Sequence, residues 1–111
     1  MAAPIELTTE TFESIVLQNM EKPFLIDFWA VWCVPCQMME PITNAIAEEA
    51  AEYALVGKVN IDDFPEIAER YNILSIPTFL VFYKGELVKQ IVGVQEKDVL
   101  VTALRDAAAG Q

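Results

Sequence analysis

The sequence predicts a single α/β domain in which a mixed β-sheet is flanked by helices. Three observations predict this fold class. Segments rich in β-favouring residues alternate with segments whose apolar residues recur at helical intervals. A length of 111 residues suits one compact domain, and a hydrophobic fraction of 54% supplies its core. No linker, repeat or low-complexity tract divides the chain, so we expect one domain over residues 1–111.

The first half of the chain predicts three strands separated by two helices. Apolar residues recur at helical intervals over 8–20 and 33–53, and Thr8 or Thr9 is a suitable N-cap for the first helix. The segment at 24–30 is apolar on both alternating faces, which is typical of a central strand buried on two sides. Because a helix separates it from the next strand, we expect these two strands to be parallel. The three strands lie at 5–7, 24–30 and 54–61.

The second half predicts a short helix, a β-hairpin and a closing helix. The pair Lys84-Gly85 separates two β-favouring runs, which is the pattern of a hairpin turn. The closing segment is amphipathic and is followed by Gly110, a residue type that commonly ends helices. These four elements lie at 64–71, 78–83, 86–92 and 96–109.

The composition argues against several classes of function. Seven basic residues against 17 acidic ones give a net charge of -10, which disfavours binding to nucleic acid or to an anionic membrane surface. Histidine is absent, which excludes Ser-His, Cys-His and His-metal chemistry. The start of the chain lacks the basic and apolar parts of a signal peptide, and the run "FLIDFWAVWC" is too short to span a bilayer. We therefore expect a cytoplasmic protein with no nucleic-acid or membrane partner.

The stretch "WCVPC" places Cys33 and Cys36 where a buried strand ends and a helix begins. As a purely structural cross-link, a disulfide across so short a loop stabilises the folded state by only about 2 kcal/mol, and it does not persist in the cytoplasm. A structural zinc site needs four ligands, so these two cysteines would require a second subunit or carboxylates, and we expect no metal. A redox pair fits the position best, because a helix N-terminus stabilises the thiolate that attacks disulfides.

Asp27 stands in the middle of the otherwise apolar strand at 24–30. Charged side chains are almost never fully buried without a partner, so a functional carboxylate is favoured over one that merely reaches solvent. Burial raises the pKa of a carboxyl group, which suits a group that exchanges protons near neutral pH.

Several separate motifs, in the right order along nearly the whole chain, resemble the thioredoxin family. "DFWAVWCVPC" is similar to the family's active-site segment, "KVNID" to its following strand, and "SIPTFLVFYKGELV" to its proline loop and hairpin. The resemblance implies the thioredoxin fold, with a central mixed five-stranded sheet and four helices. It implies a redox-active disulfide between Cys33 and Cys36, no bound cofactor, and a monomer. The implied activity is reduction of disulfide-containing substrate proteins, with electrons from an NADPH-dependent thioredoxin reductase.

The resemblance also implies a role for each catalytic residue. Cys33 would attack the substrate disulfide, and Cys36 would resolve the resulting mixed disulfide. Asp27 would shuttle a proton for Cys36, with Lys58 as its charged neighbour. An ordinary solvated position at a strand end is an open alternative for Lys58.

The implied substrate-binding residues surround the cysteine pair. The resemblance implies a cis peptide bond at Pro77 and backbone hydrogen bonds from Ile76 to the substrate. Plain strand-entry and strand-end positions are open alternatives for Pro77 and Gly93. The other residues implied to contact the substrate are Trp32, Val34, Pro35, Val92, Gly93 and Val94.

Two positions depart from the family pattern. Val34 stands where glycine is usual, and Gln37 stands where a basic residue is common. Val34 restricts the backbone and adds bulk beside Cys33, and the loss of a cation at position 37 weakens thiolate stabilisation. Strong oxidants of this fold carry a histidine between the cysteines, so Val-Pro favours a reductant. A disulfide oxidase or isomerase, and a binding module without catalytic function, are the alternatives.

Overall fold

A computed structural model describes residues 2–110 and has the predicted order of elements. The prediction of one α/β fold with a five-stranded mixed sheet and four helices is confirmed; the outermost residues of the predicted domain, 1 and 111, lie outside the described range. The strands are β1 (Ile5–Glu6), β2 (Phe24–Trp29), β3 (Leu55–Asn60), β4 (Thr78–Tyr83) and β5 (Glu86–Val92). The helices are a π-helix (Glu13–Leu17), α1 (Val34–Glu49), α2 (Pro65–Arg70) and α3 (Lys97–Ala108).

The sheet has the strand order β1-β3-β2-β4-β5, which makes β2 its central strand. β2 pairs in parallel with β3, as expected, and antiparallel with β4, which continues into β5 through the hairpin. The register places Asp27 of β2 beside Lys58 of β3 and beside Phe79 of β4. Paired residues of adjacent strands point to the same face, so these three side chains share one face of the sheet.

The expected burial of β2 on both faces is confirmed. Alternate residues of β2 contribute to two different cores, because successive side chains of a strand point to opposite sides. Leu25 packs with Phe79 and with residues of α1 and α3 on one face. Ile26 and Phe28 pack on the other face with residues of the π-helix and α2. Asp27 therefore belongs to the face that α1 and α3 cover.

The first helix is shorter than the predicted 8–20, and its regular part is a π-helix. The predicted N-cap, Thr8 or Thr9, is wrong, because Phe12 precedes the helix and makes no side-chain cap bond. Thr8 caps only the turn before the helix, where its Oγ1 accepts a hydrogen bond from the Thr11 N–H at 3.1 Å. At the other end, Asn19 Oδ1 accepts hydrogen bonds from the N–H groups of Glu21 and Lys22. Such side-chain bonds compete with helical ones and explain why the helix stops before position 20.

Other predicted boundaries also need correction: the elements predicted at 5–7, 24–30, 64–71 and 96–109 are each shorter by one residue at one or both ends. α1 begins at Val34, with Cys33 as its N-cap, and ends at Glu49 rather than at 53. Residues 50–53 form turns instead, and Lys22 Nζ donates a hydrogen bond of 2.9 Å to the carbonyl of Ala51 there. The predicted strand at 54–61 is one residue shorter at each end.

The hairpin turn at Lys84-Gly85 is confirmed, and its geometry explains the glycine. Both residues have positive φ angles, 54° and 79°, as a two-residue turn of this hand requires. A side chain at position 85 would also collide with the carbonyl oxygen of Leu17 in the π-helix. Glycine is therefore required both by the turn and by its close packing on the first helix.

Candidate active site

Cys33 and Cys36 form a disulfide at the point where α1 begins. Cys33 has extended backbone angles as the N-cap, and the Cys36 N–H donates a hydrogen bond of 3.2 Å to the Cys33 sulfur. Val34 and Pro35 occupy the first two helical positions, where proline's missing N–H loses no helical bond. When the disulfide opens, the same N–H group and the helix N-terminus stabilise a negative charge on Cys33.

The two cysteines face different surroundings, although each residue is only 4% exposed. Cys33 Sγ lies 3.9 Å from the carbonyl oxygen of Ile76, beside the Ile76–Pro77 peptide bond, which is cis as the resemblance implies. Cys36 instead lines a small inner cavity that also contains Asp27. The two sulfurs thus border different surroundings: the Ile76–Pro77 bond on the Cys33 side and a carboxylate-containing cavity on the Cys36 side.

We call the space beneath Cys36 the inner cavity. Its volume is about 30 Å³, room for about one water molecule. Its lining residues come from β2, α1 and β3 and are Asp27, Trp29, Cys36, Gln37, Glu40, Thr43 and Lys58.

Asp27 is buried, with 4% of its surface exposed, and its Oδ1 has no hydrogen-bond partner within residues 2–110. Burial, the largest cause, raises its pKa from 3.8 to about 7; the Lys58 ammonium opposes this shift and the Glu40 carboxylate adds to it. The carboxyl group can therefore take up and release a proton near neutral pH, next to Cys36.

Lys58 is held over the inner cavity by an aromatic ring. Its Nζ lies 4.4 Å from the centre of the Trp29 ring, a cation–π contact. In the described part of the chain it forms no salt bridge with Asp27, so it acts on that carboxylate through space. The register of β2 and β3 brings these residues together, which a single strand's sequence does not reveal.

Several exposed apolar residues lie next to Cys33 in the chain or near the Ile76–Pro77 bond, and we call them the apolar rim: Trp32, Val34, Leu74, Val92 and Val94. Pro35 is also exposed, at the first turn of α1. A groove of about 260 Å³ runs beside the rim, lined by Trp32, Ile61, Ile73, Leu74, Ser75 and Ile76. The indole N–H of Trp32 donates a hydrogen bond of 2.9 Å to Asp62, which holds the ring in place.

Gly93 completes this side of the site between Val92 and Val94. Its φ angle is 93°, and its N–H donates a hydrogen bond of 2.8 Å to the carbonyl of Pro77. Apart from its two chain neighbours, no residue has an atom within 4 Å of the position that its Cβ would occupy. Gly93 is thus favoured by its backbone angles rather than by a lack of space.

Three residues that lie around the cysteine pair or its neighbours were not predicted from the sequence. Glu40 lies one helical turn after Cys36, so the four-residue spacing alone could have placed both on one face of α1. Leu74 lies in a loop, where no periodicity indicates which way a side chain points. Asp62, for which the sequence indicates only a loop carboxylate, bonds Trp32. Gln37, the departure from a basic residue, donates a hydrogen bond of 2.8 Å to the carbonyl of Val31.

Residues 2–110 contain neither a metal-binding cluster nor a membrane-spanning helix. No cluster of three or more His, Cys, Asp or Glu side chains in this range could hold a metal ion. No helix in this range has both the length and the apolar character needed to cross a bilayer.

Comparison with known proteins agrees with this geometry. The family model described as "Thioredoxin" matches residues 3–106. A thioredoxin from Alicyclobacillus acidocaldarius is 41% identical over 104 residues, which are 94% of this chain and 97% of that protein. A bifunctional thioredoxin reductase/thioredoxin from Mycobacterium leprae is 42% identical over 102 residues, which are 92% of this chain and 22% of that protein.

A solved structure has the same fold. A mutant thioredoxin from Halobacterium salinarum NRC-1 superposes with a TM-score of 0.85 and 33% sequence identity, over 94% of this chain and 89% of that one. A matching family model, similar full-length relatives and a disulfide-forming Cys-x-x-Cys pair lead to one conclusion. The chain belongs to the thioredoxin family and is a protein thiol-disulfide oxidoreductase whose redox-active group is the Cys33–Cys36 disulfide.

Proposed function

We propose that this protein reduces disulfides in partner proteins, with Cys33 as the attacking and Cys36 as the resolving cysteine. The observation that carries the proposal is the asymmetry of the disulfide. Cys33 lies against the carbonyl of Ile76 and is followed in the chain by Val34 of the apolar rim, and Cys36 lines the inner cavity with Asp27. In this proposal a partner protein reaches the Cys33 sulfur, and the Asp27 carboxylate lies beside Cys36 as its proton acceptor.

The reaction has two thiol–disulfide exchanges. The Cys33 thiolate attacks one sulfur of the substrate disulfide, forms a mixed disulfide and releases the other sulfur as a thiolate. Asp27 takes the proton from the Cys36 thiol, and the Cys36 thiolate then attacks the Cys33 sulfur. The Cys33–Cys36 disulfide forms, the second substrate thiolate leaves, and the substrate has gained two electrons. Lys58 keeps a fraction of Asp27 ionised near neutral pH by its positive charge.

Substrate proteins bind across the apolar rim in this proposal. Ile76 offers backbone hydrogen bonds to an extended substrate segment, next to the cis bond of Pro77. The remaining contacts come from Trp32, Val34, Pro35, Val92, Gly93 and Val94. All of these except the partly buried Gly93 are exposed, which supports this role. Trp32, Val34 and Pro35 adjoin Cys33 in the chain, and Gly93 is hydrogen-bonded to Pro77.

The electrons come, we propose, from an NADPH-dependent thioredoxin reductase. The Mycobacterium leprae relative joins a thioredoxin reductase and a thioredoxin in one protein, by its name, which supports such a partnership. We further propose that residues 1–111 work as one monomeric domain in the cytoplasm, a reducing compartment in which the dithiol form is maintained.

The equilibrium reduction potential of the Cys33–Cys36 pair tests the direction of electron flow. We expect a value at the reducing end of the range for this fold, about -270 mV, because Val34 and Pro35 add no positive charge that would stabilise the thiolate form. The measurement is equilibration against glutathione or dithiothreitol buffers, with the two forms separated after thiol alkylation. A value near about -120 mV would instead identify an oxidant.

The apolar rim is tested by Leu74→Ser. Leu74 is 86% exposed and lines the groove that Trp32 and Ile76 also line, so the change removes docking area without opening the core. We expect KM for a disulfide-containing protein substrate to rise about 3- to 10-fold, with kcat nearly unchanged. Leu87→Ser is the matched control, because Leu87 is 42% exposed at the far end of β5 from Val92. An equal change in KM for the two substitutions would show that Leu74 does not contact the substrate.

A further inference from the structure

The inner cavity has an acidic residue that the proposed reaction does not use. Glu40 lies on α1 one turn after Cys36, and both residues line the cavity together with Asp27. Glu40 is exposed, whereas Asp27 is 4% exposed and has an oxygen without a hydrogen-bond partner among the described residues. One carboxylate is therefore at the solvent side of the cavity and the other at its buried side.

The strands around Asp27 bring one charge into the cavity. Lys58 of β3 is paired with Asp27 in the sheet and lines the cavity. On the opposite side, β4 places the uncharged Phe79 beside Asp27. On β1, the next strand beyond β3, Glu6 is paired with Lys58 and is exposed at the sheet edge.

The helices on this face add one more charge. Glu40 is the charged residue of α1 in the cavity lining, and Cys36 is the titratable thiol there when the disulfide is reduced. α3 packs on the same face but contributes no residue to the lining within the described chain. Its Lys97 is bound to Glu49 of α1 by a salt bridge of 2.8 Å. Among the described residues, the ionised groups that face Asp27 across the cavity are thus Glu40 and Lys58.

We propose that Glu40 is a positioning residue for the proton transfer: its carboxylate opposes ionisation of Asp27, Lys58 favours it, and the two charges set the pH at which Asp27 accepts a proton from Cys36. The inference rests on the proposed function for the meaning of that proton transfer. Its electrostatic part stands on the cavity geometry and is measurable without any substrate.

The opposed charges have a chemical consequence. A nearby negative charge makes ionised Asp27 a stronger base, but it lowers the fraction of Asp27 that is ionised at a given pH. A general base works best when it titrates near the working pH, where both quantities are favourable. Because Glu40 is exposed, its influence is partly screened by solvent and salt, which makes it a modest adjustment rather than a switch.

Glu40→Gln tests the proposal by removing one charge at nearly constant size. The readout is the titration midpoint of the Asp27 carboxyl carbon, followed by NMR in the oxidised protein. We expect the midpoint to move to lower pH by about 0.3 to 1 unit, and this difference from the wild type to shrink at about 0.5 M salt. Lys58→Gln is expected to move the midpoint in the opposite direction.

Glu48→Gln is the matched control. Glu48 is an exposed residue of the same helix, but it lines a separate depression with Pro41, Asn44, Ala45 and Glu49. We expect its removal to leave the Asp27 midpoint within about 0.1 unit of the wild type. An unchanged midpoint in Glu40→Gln, or an equal shift in Glu48→Gln, would overturn the proposal, since the second result would reveal only an effect of net charge.

A kinetic measurement separates this inference from the function on which it rests. The rate at which Cys36 resolves a preformed mixed disulfide is recorded against pH for the wild type and Glu40→Gln. We expect the pH profile to shift by the same amount as the Asp27 midpoint. If the pH profile of resolution stayed fixed while the Asp27 midpoint shifted, Asp27 would not be the proton acceptor, and Glu40 would have no role in the reaction. The electrostatic interaction between Glu40 and Asp27 would still be established.

Discussion

Cys33→Ser is expected to lower the rate of protein-disulfide reduction by roughly 10³-fold or more, because a serine hydroxyl cannot replace a thiolate as the nucleophile. Cys36→Ser should show a different defect. Cys33 can still attack the substrate, but no second thiol is present to release it, so a mixed disulfide accumulates. The measurement is reduction of a disulfide-containing protein by the pre-reduced variants, with trapped complexes detected on non-reducing gels and by mass.

The double variant Cys33→Ser/Cys36→Ser is the control for trapping and should form no covalent complex. Equal trapping by Cys33→Ser and Cys36→Ser would contradict the assignment of separate roles to the two sulfurs. The double variant also tests the alternative of a binding module. Full function in cells without either cysteine would show that the fold, rather than its disulfide, carries the biological role.

Asp27→Asn is expected to stabilise the protein at pH 8 by about 4 kcal/mol in the free energy of unfolding. The folded-state pKa of Asp27 is raised from 3.8 to about 7, mainly by burial, so the folded protein holds a proton that the unfolded chain has released between these values. The stability of the wild type therefore falls as pH rises from about 4 to 7, by about 1.4 kcal/mol per pH unit at most. The neutral amide removes this loss.

The measurement is urea unfolding of oxidised wild type and Asp27→Asn at several pH values between about 4 and 9. The two proteins should differ little at the acid end and increasingly above it, with the difference levelling off above pH 7. Asp63→Asn is the matched control, because Asp63 is exposed and lies outside the inner cavity. If the free energies of unfolding of the wild type and Asp27→Asn changed with pH in parallel, ionisation of Asp27 would not destabilise the folded protein, and the prediction would be wrong.

Asp27 and the cysteine pair illustrate what local sequence can determine. The β-favouring run around Asp27 predicted a strand buried on both faces. Because every side chain of such a strand points to one buried face or the other, the carboxylate of Asp27 has to be buried too. Likewise, Cys33 and Cys36 follow that strand and open a helix, so their spacing brought both sulfurs to one place. The turn at Lys84-Gly85 was predictable for the same reason, because its backbone angles depend on adjacent residues.

Where the first helix ends was harder to predict, since helical periodicity does not register competing side-chain bonds. Thr8 caps a turn before the helix instead of the helix itself, and Asn19 accepts hydrogen bonds from the backbone that follows and stops the helix early. α1 likewise ends at Glu49 although the apolar pattern continues to 53. Boundaries depend on a few such local bonds of about 1 kcal/mol each, which a pattern of apolar residues does not contain.

The sequence by itself therefore determined the fold class, the order of the elements, the redox pair and the buried carboxylate, because each depends on periodicity or on residues close along the chain. The tertiary structure decided which distant side chains share the inner cavity and the apolar rim. Lys58 reaches Asp27 only through the register of β3 against β2, and Leu74 reaches the groove beside Trp32 and Ile76 only through the path of a loop. Pairing and loop geometry follow from packing of the whole domain, so no single segment specifies them.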